Sequence, residues 1–305
     1  MAAAVSSNGE TSDLAAVESM LRAARGGDRT GSVRAITLNL IVHAPDAERV
    51  DAAIEALEHV GPSHPLRAIV ATPSDNELRA SIASSCWVGA SERQVCSERV
   101  LIEAEAKALP SAVTSLLVPD LPVFLWWQGP FGGDRGLAGA LSGLASRVIV
   151  DSGECGLDGV TVARLLAPSV ADLAWAGLLP WRDAVASLFD GHREVKALDR
   201  IAAVDVRGPE NEARLMAGWM RSALESEIEL HREGRSHHLE RVTMKAGGKE
   251  YLVERRGRSR LGTATVPGLL DYPVVLAPPP RPSLLADELS RLAGDRLFER
   301  ALEAA

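Results

Sequence analysis

The residue types that do chemistry are few in this chain and widely spaced. Three cysteines, Cys86, Cys96 and Cys155, contain no CxxC pair, so they supply neither a zinc cage nor a disulfide framework. Cys86 and Cys96 flank a turn that would make them strand neighbours; buried, reduced thiols are the plain reading. His237 and His238 are adjacent, which is poor ligand geometry, and no Cys or carboxylate cluster completes a metal site. No GxGxxG follows the first apolar strand, and the phosphate-loop, HExxH and GxSxG patterns are missing from the sequence. Neither a metal nor a cofactor is expected, and the chain reads as a non-enzyme.

Other residues suit binding better than catalysis. His64-Pro65-Leu66-Arg67 lies where a helix gives way to a strand, a place where α/β proteins often hold anions; the alternative is a simple turn with Arg67 paired at the surface. Trp126 and Trp127 are adjacent on an expected strand and therefore point to opposite faces. Each is costly to expose. Trp175, Trp181 and Arg182 place two tryptophans beside an arginine, the residue types enriched at interaction hot spots. Residues 235–260 hold eight Lys or Arg against three Glu, a local balance of +5, read as a solvated hairpin that an acidic partner could also meet.

The elements that must position these residues change character along the chain. Val33–Ala44 alternates like a strand, and Asp46–Val60 has the 3.6-residue period of a helix. Arg67–Thr72 is a short buried strand. Leu78–Val88 and Gln94–Ala106 read as two strands joined by Gly89–Arg93, forming an antiparallel edge. A helix at Leu109–Leu117, a strand at Val123–Trp127, a helix at Leu137–Ala145 and a strand at Arg147–Asp151 complete an α/β pattern. Beyond it, Ser169–Ala176, Trp181–Phe189, Glu210–Glu229 and Leu284–Leu302 read as helices. Lys196–Val206 fits helix or strand, Val242–Glu254 is a hairpin around Gly247-Gly248, and Val274–Ala277 is a strand.

A chain of 305 residues exceeds what one core usually supports. The expected fold class is therefore α/β: an N-terminal mixed sheet with flanking helices over 32–155, then a second α+β domain over 160–305, after a mobile arm at 1–31 holding one short helix. The net charge of −8 argues against nucleic acid. Only four of 33 basic residues are Lys, a bias that removes weight from any single Arg. No apolar run is long enough for a membrane span, so a cytoplasmic protein is expected.

Several blocks together resemble the OpcA family. They are Arg34 to Leu40, His64-Pro65 with Arg67, and Leu116 to Trp127, which holds Asp120, Pro122, Trp126 and Trp127. Arg147 to Ser152, ending on Asp151-Ser152, follows. Asp172 to Trp175 with Pro180-Trp181-Arg182, and Asp205 to Pro209 leading to Trp219, complete the set. The resemblance implies a non-catalytic assembly factor and allosteric activator of glucose-6-phosphate dehydrogenase in the oxidative pentose phosphate pathway. Such a factor binds the enzyme and favours its active oligomer. Gly177 and Leu179 depart from the family pattern, which has Arg and Thr there. The competing class is a sugar-phosphate-binding sensor, or an enzyme of α/β fold, with His64 and Arg67 on the phosphate.

Overall fold

The computed structural model describes residues 8–26, 36–88, 94–131, 135–224, 228–232, 238–257 and 259–305. Residues 33–35 of the first expected strand, the turn at 89–93, residues 225–227 of the long helix and 235–237 of the basic segment lie outside them.

In chain order the elements begin with β1 (Asn8–Thr11), α1 (Leu14–Gly26), β2 (Leu38–His43), α2 (Ala47–Val60), β3 (Leu66–Pro73), β4 (Arg79–Val88) and β5 (Gln94–Ala104). Next come α3 (Leu109–Leu116), β6 (Val123–Trp127), α4 (Arg135–Ser142), β7 (Arg147–Val150), α5 (Ser152–Leu166) and β8 (Val170–Asp172). Then follow α6 (Leu173–Gly177), α7 (Leu179–Ser187), α8 (His192–Leu198), β9 (Ile201–Gly208), α9 (Glu210–Leu224) and β10 (Ile228–Arg232). The last are β11 (Arg241–Ala246), β12 (Lys249–Arg255), β13 (Leu261–Thr265), β14 (Tyr272–Val275), α10 (Arg281–Leu289) and α11 (Arg296–Glu303).

Two compact units result: Met1–Leu173 with Pro280–Gly294, and Ala174–Pro279 with Asp295–Ala305. The first holds an eight-stranded sheet in the order β1-β4-β5-β3-β2-β6-β7-β8. From β5 to β8 every pairing is parallel, while β4 and β1 run antiparallel at one edge. Strands β2 and β7 are buried at every residue, as parallel strands covered on both faces must be. Taking β2 as first, the parallel strands read 3-2-1-4-5-6, the doubly wound order whose direction reverses between β2 and β6. Where the sequence suggested an arm, β1 pairs with β4 and α1 buries Val17 and Leu21.

The return of residues 280–294 to the first unit has a polar cause as well as an apolar one. Leu284, Leu285 and Leu289 are buried in α10, which packs on α2. The Arg147 guanidinium at the start of β7 donates to Glu288 at 2.5 Å and to the carbonyls of Arg291 and Ala293. The expected single helix over 284–302 therefore breaks into two: α10 serves the first unit, and Asp295 caps a new helix, α11, by accepting from Leu297 and Phe298.

The second unit holds a six-stranded sheet, β10-β9-β11-β12-β13-β14. It is antiparallel except for β9 beside β10. Helix α9 packs on α11, and Gly218 makes the approach possible, because a Cβ there would lie 2.0 Å from the Ala301 carbonyl oxygen. The helix expected over 169–176 is strand β8 followed by the short α6, since Val170 to Asp172 extend the parallel sheet beside β7. Residues 196–206 divide into the end of α8 and the strand β9, and the long helix from 210 stops at Leu224. The pattern reading missed α5 and β13. The first carries glycines at 153, 156 and 159 that mask its period; the second is a mixed Gly/Thr strand.

Candidate functional site

In a doubly wound sheet, ligands bind outside the carboxyl ends of the two strands where the order reverses. Here those are β2 and β6, and their ends are filled by the chain itself. His43 and Trp127, register partners, stack with ring centroids 3.6 Å apart, and Phe131 lies 4.9 Å from Trp127. All three are buried. The Trp127 indole N–H donates to the Pro130 carbonyl at 3.1 Å, which fixes the loop after β6. The N-terminus of α2 is closed by the Asp46 carboxylate, which accepts from the Arg49 N–H at 2.9 Å. An N–H at a helix N-terminus is the kind of donor a pyrophosphate would use.

An ionic cluster sits beside this plug. Glu154, in the first turn of α5, accepts from the Gly129 N–H at 2.9 Å, from Arg281 at 2.6 Å and from Arg49. Burial alone would raise its pKa; the bonds from Arg281, Arg49 and Gly129 overcome that and hold it at about 2. Arg281 also pairs with Asp151 at 3.3 Å. Burial pushes the Asp151 carboxyl up, against the pull of Arg281. The Cys155 thiol is free and is pushed up to about 12 by burial and by the charges of Asp172 and Asp151. Such a thiol is a poor nucleophile. Arg49, Gly129, Glu154 and Arg281 were not singled out from sequence. The one available signal was Asp151 followed by Glu154, a capping-box spacing.

The residues singled out from sequence fall into separate places. Arg67 is buried and bonded to Glu98 through Nε and Nη2 at 2.8 Å, to Glu18 at 2.7 Å and to the Leu116 carbonyl at 2.8 Å. Its donors are committed to two carboxylates rather than turned to an anion. His64 lies between the hydroxyls of Ser63 and Ser290, each at 2.9 Å, and burial lowers its pKa. Trp126 and Trp127 are both buried. Asp120 has a left-handed φ of 63° in the turn before Pro122 and β6. Asp151 caps α5 by accepting from Gly153, and the Ser152 N–H donates to Asp172 at 2.8 Å.

In the second unit Trp175 and Trp181 are core residues. The Trp175 indole N–H donates to Asp295 at 2.9 Å, and the Arg182 guanidinium lies 3.7 Å over the Trp175 ring. Arg182 is half-buried, as is Trp219 on α9. Gly177 is half-buried, and Leu179 is 46% exposed at the start of α7. Among the described residues no group of three or more His, Cys, Asp or Glu is placed to hold a metal, and no helix is long and apolar enough to cross a membrane.

Two family models match the chain: glucose-6-phosphate dehydrogenase subunit N-terminal domain over residues 57–167, and the corresponding C-terminal domain over 168–302. The chain is 26% identical over 199 residues to an OxPP cycle protein OpcA of Synechocystis sp., covering 60% of this chain and 41% of that protein. It is 24% identical to one from Synechococcus elongatus, covering 60% and 45%. The matched region thus spans less than half the length of these curated relatives. Solved structures of similar shape include a Synechocystis biliverdin reductase with biliverdin and NADP+ (10% identity, 88% of this chain, 96% of that chain, TM-score 0.44). A glucose-6-phosphate dehydrogenase with its substrate is another (11%, 90%, 91%, 0.45).

Proposed function

We propose, because the chain belongs to the OpcA family of glucose-6-phosphate dehydrogenase subunit domains, that it is a cytoplasmic, non-catalytic assembly factor of that dehydrogenase. In this reading it binds the enzyme, favours its active oligomer and so acts as an allosteric activator. The observation that carries the non-catalytic part is the filled switch point. His43, Trp127 and Phe131 stack on one another at the ends of β2 and β6, where a doubly wound fold would receive a nicotinamide cofactor. A binder of this kind works through its differential affinity for two states of its partner, and a tenfold shift needs about 1.4 kcal/mol of difference. The test is to mix the chain with the dehydrogenase of the same organism. A complex on size-exclusion chromatography and a several-fold rise in dehydrogenase rate are expected, while the chain alone reduces no NADP with glucose-6-phosphate. Activation without a complex at any concentration refutes the mechanism, and turnover by the chain alone refutes its non-catalytic character.

The contact we assign to the partner is the start of α7. Trp175 and Trp181 support it from within the core, and Leu179 and Arg182 present it, three residues apart on one helix face. Arg182→Ala should weaken the complex about tenfold, and also cost about 1 kcal/mol of stability through the lost stacking on Trp175. Leu179→Asp is the cleaner variant. Its side chain is 46% exposed, so unfolding should move by no more than about 0.5 kcal/mol while binding falls. Normal binding by both variants removes this surface from the proposal.

A further inference from the structure

The Glu154 cluster is built like an anion site with its anion supplied internally. A backbone N–H from the loop after β6, Gly129, and two guanidinium groups, Arg49 from α2 and Arg281 from α10, converge on one carboxylate. Paired guanidinium groups with a backbone N–H are the donor set that recognises phosphate oxygens. The cluster lies beside the strand-order reversal between β2 and β6, where folds of this order place phosphate groups.

The carboxylate also rides on a piece of chain that is separate from its helix. Gly156 has φ 69° and ψ 167° inside α5. Ser152 to Cys155 therefore form a single turn, joined to the remainder of α5 through a residue in a conformation that glycine adopts without strain. Rotation at Gly156 would withdraw Glu154 without unfolding residues 157–166. Cys155 shares that turn, so its reactivity reports on the turn's position.

We propose that Arg49, Arg281 and the Gly129 N–H form a binding site for the phosphate group of a small phosphorylated metabolite, with Glu154 as a displaceable internal occupant. Asp46, Glu48 and Asp151 lie near the same arginines. They oppose a second anion, so ligand and Glu154 exclude one another. This inference does not depend on the dehydrogenase, and its test contains none.

The probe is inorganic phosphate, titrated calorimetrically against chloride at matched ionic strength. Glu154→Ala and Glu154→Gln should bind phosphate at least tenfold more tightly than the parent chain, and adding Arg281→Met to either should abolish the gain. In the parent chain, saturating phosphate should speed alkylation of Cys155, mapped by mass spectrometry, several-fold over the chloride control. If the folded Glu154 variants bind no tighter than the parent, or the Arg281→Met double variants bind as well as the single ones, the site is refuted. If neither Glu154 variant folds, an alkylation rate in the parent that phosphate leaves unchanged refutes it instead.

Discussion

Glu288→Ala is expected to lower the stability of the first unit by about 3–5 kcal/mol, because it strands a buried charge. Arg147 is 1% exposed and Glu288 3%. Among the described residues their 2.5 Å bond is the only one from Arg147 to a carboxylate; it also donates to the neutral carbonyls of Arg291 and Ala293. Without Glu288 the guanidinium keeps those carbonyls and loses its countercharge. The loss also releases α10 from the end of β7, so the apolar contact of Leu284, Leu285 and Leu289 weakens with it. The paired change Arg147→Met with Glu288→Leu should recover much of the loss, since an apolar pair replaces a desolvated one. The exposed pair Arg241–Glu254, with side chains 39% and 20% exposed, is the control: Glu254→Ala should cost about 1 kcal/mol or less. Urea unfolding measures all three. A Glu288→Ala effect as small as that of Glu254→Ala would mean that the carbonyls alone hold Arg147.

Much of the first sheet was legible because its strands are short, apolar and punctuated. Val123–Trp127 follows Pro122 and matches β6 to the residue; Asp46 caps α2 where a helix start was read. The helix α5 was not legible, because glycines at 153, 156 and 159 interrupt the apolar period and Gly156 breaks the helix itself. The return of α10 is the other gap. Nothing local in residues 281–289 says that Arg281 and Glu288 belong with Glu154 and Arg147, more than 120 positions earlier. For the same reason the ionic cluster was invisible: its members come from α2, the loop after β6, α5 and α10, and only the closed sheet brings them together. Trp175, Trp181 and Arg182 were conspicuous by residue type, yet type does not distinguish a hot spot from a core. The Asp295 carboxylate that receives the Trp175 N–H lies 120 positions away, so that indole's partner could not be read locally either.

The same cluster sets an acid limit on the first unit. Glu154 has a folded pKa of about 2, against an ordinary value of 4.5. A carboxyl whose folded pKa is depressed stabilises the fold above its unfolded pKa, and the contribution fades as pH falls towards the folded value. The window therefore runs from about pH 5 down to about pH 2, and at 1.36 kcal/mol per pKa unit the loss is on the order of 3 kcal/mol. The bonds from Arg281, Arg49 and the Gly129 N–H are the cause of the effect. Asp151 works in the opposite sense: burial raises its pKa despite Arg281, so protonating it as pH falls relieves the fold. A parent curve alone mixes the two. Glu154→Gln separates them, because it keeps the side-chain shape and removes one titration. At neutral pH the variant should be less stable than the parent by about 3 kcal/mol, and the two stability curves should converge as pH falls through the window. A gap that stays constant from neutrality to about pH 2 would show that the Glu154 carboxyl is not held low by its arginines.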